Sequence, residues 1–218
     1  MYKNILFDLD GTLLDTTSGV TMAIRKTLQT LHCDILSDEI LKNFVGPPMQ
    51  ESFEKYLKCD KNEALKNANI FREIYKNYLH EAKPYDGILM LLKELESRKI
   101  KIAIATNKSH NNAINILEKF GILKYCHFVM GSDLEGKLTK IDIVNICLKE
   151  LGAHPQDSVL IGDSIVDSDG ALENHIDFIA VLYGFGFKST NDLQGIKHVA
   201  YFKDVLAMSK FLLGGYPC

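Results

Sequence analysis

The chain has 218 residues, with 46% apolar and 24% charged side chains. That is ordinary globular composition, long for one average domain and short for two. The formal charge of −3 argues against a general nucleic-acid binder, which is normally basic. No apolar run approaches the roughly 18 residues of a membrane span. Asp8 also interrupts the N-terminal apolar stretch too early for a signal-peptide core. Five scattered cysteines (33, 59, 126, 147 and 218) form no CxxC pair and read as reduced thiols of a cytoplasmic protein.

The first element is an apolar strand, Lys3–Phe7. Short runs without polar alternation recur at Lys101–Thr106, His127–Met130, Val159–Ile161 and Phe178–Leu182. Such runs suit strands buried on both faces. Helical patterns lie between them at Ile88–Arg98, Asn111–Phe120, Ile141–Leu151 and Ile165–Asn174. The alternation predicts an α/β fold with a doubly wound parallel sheet.

Between the first two strands this alternation fails. Val20, Ala23, Ile24, Thr27, Leu28 and Leu31 mark one helical face. Asp60 and Glu63 resemble a capping box before a second stripe of Ala64, Ala68, Phe71, Tyr75, Tyr78 and Leu79. Gly46-Pro47-Pro48 forces a loop between them. Residues 16–82 are therefore expected to be an inserted all-helical cap. Residues 1–15 and 83–218 would form the core.

The polar residues of interest follow strands. Asp8 and Asp10 flank the end of the first, and Gly11 permits a turn. By itself this is equally a strand running into an Asp-Gly turn. Its spacing does not match a calcium loop. Asp163 and Asp167 follow Val159–Ile161, four residues apart and on one helical face. Their plain alternative is a capped helix with a solvated acid. Thr106, Asn107 and Lys108 end another strand, where Thr106 would close it and Lys108 would face solvent. Lys137 and Lys140 lie in Gly136–Lys140, before a helix.

Together these residues say more than separately. Ligands of open parallel sheets bind beyond the carboxyl ends of the strands. Several carboxylates converging there require a hard cation, for which Mg²⁺ suits oxygen ligands. A lysine and a hydroxyl remain to bind an anion, which describes a phosphate site.

In this order of motifs the chain resembles the haloacid dehalogenase superfamily of phosphohydrolases, over essentially its whole length. Its helical insertion is similar to that of the phosphoglycolate phosphatase-like branch. The resemblance implies a Rossmann-like core. It implies Asp8 as nucleophile, Asp10 as acid/base, Thr106 and Lys140 as catalytic phosphate-holding groups, and Asp8, Asp10, Asp163 and Asp167 around Mg²⁺. Asp10 would contribute its backbone carbonyl, and Asp167 would orient the shell. Gly11, Thr12 and Asn107 would help bind phosphate. Many relatives carry the lysine in a Lys-Pro pair, which is absent here, so Lys137 stays an alternative to Lys140. The hinges of the insertion are expected near Asp15–Thr17 and Ala82–Pro84. The Phe44–Met49 loop and Arg25 are candidates for choosing the substrate, with Arg25 equally readable as a solvated helix residue. Tyr183–Gly186 either lines the site or forms a turn.

The expected activity is hydrolysis of a small phosphorylated metabolite, first of all 2-phosphoglycolate, by a monomer or homodimer without nucleic-acid or membrane partners. A 5'-nucleotidase and a sugar-phosphate mutase are the alternatives on the same core. A phospho-receiver module lacks a comparable helical insertion. A non-catalytic binding protein would have no need of the intact polar set.

Overall fold

The structure is a computed structural model describing residues 2–135 and 137–214. Gly136 and Cys218 lie outside the described residues.

A six-stranded parallel sheet forms the centre. Its strands are β1 (Asn4–Phe7), β4 (Lys101–Ser109), β5 (Phe128–Ser132), β6 (Ser158–Gly162), β7 (Asp177–Val181) and β8 (Ala200–Phe202). They run in the spatial order β5-β4-β1-β6-β7-β8. β1 thus sits where the winding reverses, between β4 and β6. Phe7 pairs with Ile104 on one side and Ile161 on the other. This register brings the residues after Phe7, Ala105 and Ile161 to one edge of the sheet. The reversal opens a crevice there.

Side chains alternate through the sheet and feed two cores. Leu6, Ala103, Ala105, Leu160 and Ala180 face the cluster under α7 (Lys140–Leu151) and α8 (Ile165–Glu173). Ile5, Phe7, Ile102, Ile104, Val159 and Ile161 face a larger cluster. That cluster also takes in α5 (Ile88–Ser97), α6 (His110–Lys119) and α9 (Val205–Leu212). Burial on both faces explains why β1 and β6 read as unbroken apolar runs.

From Thr17 to Glu81 the chain is helical wherever it is regular. The elements are α1 (Thr17–Thr30), α2 (Asp38–Lys42), α3 (Met49–Leu57), α4 (Lys61–Tyr75) and a 3₁₀ segment, Lys76–Glu81. Val20, Ala23, Ile24 and Leu28 of α1 are buried, as are Ala64, Ala68, Phe71 and Tyr75 of α4. Asp60 caps α4 by accepting from the Asn62 and Glu63 N–H groups. A short antiparallel ribbon joins this block to the sheet, pairing β2 (Leu14–Asp15) with β3 (Lys83–Pro84).

Three local expectations change. β4 continues past Thr106 to Ser109, with a shift of register against β5 between those residues. β8 and α9 are additions that the periodicity did not reveal. Lys108, read as solvated, is buried: its side chain is 8% exposed, because the extended β4 carries it under the helical block.

Candidate active site

Asp8 leaves β1 with its carboxylate buried. Asp163 and Asp167 leave β6 and the first turn of α8. One oxygen from each of the three lies within 4.8 Å of the others. α8 places Asp167 through a capping box: Ser164 caps the helix, and Asp167 Oδ2 accepts from the Ser164 N–H and hydroxyl at 3.1 and 2.6 Å. Capping and clustering, alternatives in the sequence, therefore coexist.

Lys140 opens α7 and reaches into the cluster. Its Nζ lies 2.6 Å from Asp8 Oδ1 and 2.6 Å from Asp167 Oδ1. Lys137 instead is exposed and pairs with Glu135. The Thr139–Asp142 capping box explains the difference, because it starts the helix at Lys140 and aims that side chain at the sheet edge.

One ammonium cannot balance three buried carboxylates. Burial pushes the Asp8 carboxyl well above the usual carboxylate range; Lys140 opposes this, and Asp167, Asp163 and Asp10 add to it. Burial and then Asp167 push Asp163 up to about 6. Burial works against the Lys140 charge, but Asp167 and Asp8 together hold its affinity for the proton above normal. The cluster is short of about two positive charges when fully ionised. A hard divalent cation among oxygen donors meets that deficit, so the residues present fit Mg²⁺.

Asp163 is fixed from the loop after β7. Its Oδ2 accepts from the Phe185 N–H and, at 3.0 Å, from the Gly186 N–H. Tyr183–Gly186 thus belongs to the site. A Cβ on Gly184 would overlap the Gly11 carbonyl and the Asp163 side chain. Gly11 has φ +88°, and a Cβ there would strike the Asp163 carboxylate. Both positions need glycine for close approach.

Asp10 takes a different direction from Asp8. Its Oδ1 accepts from Thr16 Oγ1 at 2.5 Å and pairs with Lys108 Nζ at 2.9 Å. Its side chain is outside the group formed by Asp8, Asp163 and Asp167. Lys108 Nζ also lies 4.5 Å from the Tyr75 ring centre, over a face of the helical block. Burial disfavours the Lys108 charge, but Asp10 and Tyr75 outweigh it and hold the amine protonated. Its position directly after Thr106-Asn107, at a strand end, was the sequence signal for this residue.

Thr106 is buried at the end of β4, where its Oγ1 accepts from the Lys108 N–H at 3.1 Å. The N–H groups of Gly11 and Thr12 close the turn onto Leu14 and Leu9 carbonyls, so neither N–H points to a ligand. Thr12 Oγ1, in contrast, is buried without a partner. Asn107 and the Phe44–Met49 loop line a cavity that also touches Asp10 and Lys108. Arg25 does not line it; it pairs with Asp38 in solvent, because α1 turns that side chain outward.

Carboxylates and a buried ammonium at the switch point of a parallel sheet define an enzyme of phosphoryl chemistry. The chain belongs to the haloacid dehalogenase-like hydrolase family, which matches residues 5–181. It is 33% identical over 213 residues to the 5'-nucleotidase of Pseudomonas aeruginosa, covering 97% of this chain and 96% of that protein. The phosphoglycolate phosphatase of Aquifex aeolicus is 29% identical over 183 residues, covering 83% and 85%. Among solved structures, a predicted phosphatase from Clostridium acetobutylicum superposes with a TM-score of 0.90 at 33% identity, over 98% of this chain and 99% of that one. This protein is a phosphatase of that family, and no helix among its described residues is long and apolar enough to cross a membrane.

Proposed function

We propose that the chain is a Mg²⁺-dependent phosphomonoesterase that acts through an aspartyl-phosphate. The observation that carries this is the buried cluster of Asp8, Asp163 and Asp167 around Lys140.

Asp8 is the nucleophile. Its carboxylate oxygen attacks phosphorus, an O–P bond forms, and the bond from phosphorus to the substrate oxygen breaks. Asp10 gives its proton to that leaving oxygen. It then takes a proton from the water that opens the aspartyl-phosphate, which releases phosphate and restores Asp8. Thr16 and Lys108 hold Asp10 by Oδ1 in position for both transfers. Lys140 restrains Asp8 and, with Thr106, neutralises phosphate oxygens. Bound Mg²⁺ would supply charge neutralisation for the attack of one anion on another. Asp8 and Asp163 would hold it with the Asp10 carbonyl, and Asp167 would orient that shell.

The helices of residues 16–82 act as a cap on the ribbon of Leu14–Asp15 and Lys83–Pro84, and their closure excludes stray water. The substrate is a small phosphorylated metabolite, with 2-phosphoglycolate first. A 5'-nucleotidase is the second reading, favoured by the Pseudomonas aeruginosa relative of that name.

Phosphate release from a panel of phosphorylated metabolites, with Mg²⁺ or with chelator, tests the assignment. Turnover should need the metal and vanish in Asp8→Asn with the fold retained. Robust hydrolysis by the purified Asp8→Asn variant would remove the nucleophile.

A further inference from the structure

The cavity beside Asp10 and Lys108 has a volume of about 40 Å³, room for roughly three waters. Phe44, Met49 and Phe71 contribute apolar wall. Lys108 is held by Asp10, its Nζ 2.9 Å from Asp10 Oδ1. One further charged side chain lines the cavity, Arg72 of α4.

Arg72 is 7% exposed. Among the described residues no carboxylate lies within salt-bridge distance of it. Nη1 donates to Asn69 Oδ1 at 2.6 Å and to the Leu134 carbonyl at 3.1 Å, while Nη2 donates to Gln50 Oε1 at 3.2 Å. These are three of the five guanidinium donors, and no described residue accepts from Nε. Asp133 is the acid that acts on it from a distance, but its own oxygens accept from the Lys137 and Leu138 N–H groups. A buried cation bonded only to neutral acceptors is expensive unless an anion joins it. Asn112, 2% exposed in the same wall, donates to the Arg72 carbonyl and has no partner for its Oδ1. The wall thus holds a buried amide oxygen without a partner beside a guanidinium that uses only part of its donors.

We propose that Arg72 is the specificity-determining residue, which binds a carboxylate on the leaving-group end of the substrate. The preferred substrates are then short phosphorylated hydroxy acids, whose phosphate reaches Asp8 while the carboxylate reaches the guanidinium. Planar bidentate recognition suits an arginine fork better than a lysine. The inference rests on Asp8 being the phosphoryl acceptor, and it moves the choice of substrate from α1 to α4.

The rival role is a clamp, since Arg72 also ties α4 to the loop at Leu134. Two esters of similar size separate the roles: 2-phosphoglycolate, and 2-hydroxyethyl phosphate, which lacks the carboxylate. The wild type should favour the first by at least tenfold in kcat/KM. In Arg72→Met that ratio should collapse toward one, mainly through KM, and Arg72→Lys should recover part of it. A clamp would lower both substrates equally and leave the ratio intact, which would overturn the proposal. So would a wild type that does not discriminate. Binding is read separately by thermal shift in the Asp8→Asn background. There 2-phosphoglycolate should stabilise the protein with Arg72 present and should not once Arg72→Met is added, and equal shifts would also overturn the assignment. Retained turnover in Asp8→Asn would refute the nucleophile alone, so the two failures are distinguishable.

Discussion

Removing the Lys140 ammonium tests the charge balance of the site most directly. The side chain is 2% exposed and contacts two carboxylates at 2.6 Å each. At an effective dielectric of 20, two unit charges about 4 Å apart interact by about 4 kcal/mol. The three acid oxygens, mutually within 4.8 Å, would then repel without relief in Lys140→Ala. Breaking a buried pair of this kind costs about 3–5 kcal/mol. For a domain of this size that corresponds to a fall in Tm of roughly 6–20 °C. Proton uptake by Asp8 and Asp163 would limit the loss, and added Mg²⁺ should recover part of it. Turnover should fall by orders of magnitude even where the variant is fully folded. Calorimetry and phosphate release, compared with Lys137→Ala, provide the assay. Lys137 is exposed and should leave both readouts at wild-type values. A Lys137 variant more impaired than the Lys140 variant would refute the assignment and the charge argument with it.

The pH dependence of metal stabilisation is a second test. The Asp163 carboxyl has a folded value of about 6, above its ordinary 3.8, so its ionisation opposes folding as pH rises through that window. The burden is absent below the lower value and complete above the upper one. A metal needs the ionised ligands, so the gain in Tm from Mg²⁺ over chelator should be small near pH 5 and largest above pH 7. A gain independent of pH would exclude these carboxylates as ligands. Gly184→Ala should lose Mg²⁺ affinity and kcat together, because its methyl would displace Asp163; overpacking of this kind typically costs about 1–3 kcal/mol, and titration calorimetry checks it. Lys108→Met should lower kcat more than it raises KM, since Lys108 holds Asp10 rather than phosphate; the opposite split would make Lys108 a substrate ligand.

Much of this site was legible in the chain. Strands buried on both faces have to be apolar throughout, so β1 and β6 were visible, and the acids that follow them were fixed to one sheet edge. Lys137 stayed an alternative to Lys140 in the sequence, and the helix start set by the Thr139–Asp142 capping box is what separates the two in the structure. Lys108 was misread because its burial depends on Tyr75, which comes from the separate helical block. Arg25 and Arg72 both sit on helices of that block, and periodicity alone does not say which face closes over the sheet.

Length and composition first posed the question of where the residues beyond an average domain belong. The sequence by itself determined that they form a helical insertion and that a mildly acidic chain gathers its acids beside a lysine. Local periodicity and strand-end placement are enough for that. Only the tertiary structure decided which cations face those acids and which one faces the cavity. Lys140, Lys108 and Arg72 acquire their partners across 132, 98 and 62 positions of chain, and contacts so distant are set by how the helices pack on the sheet.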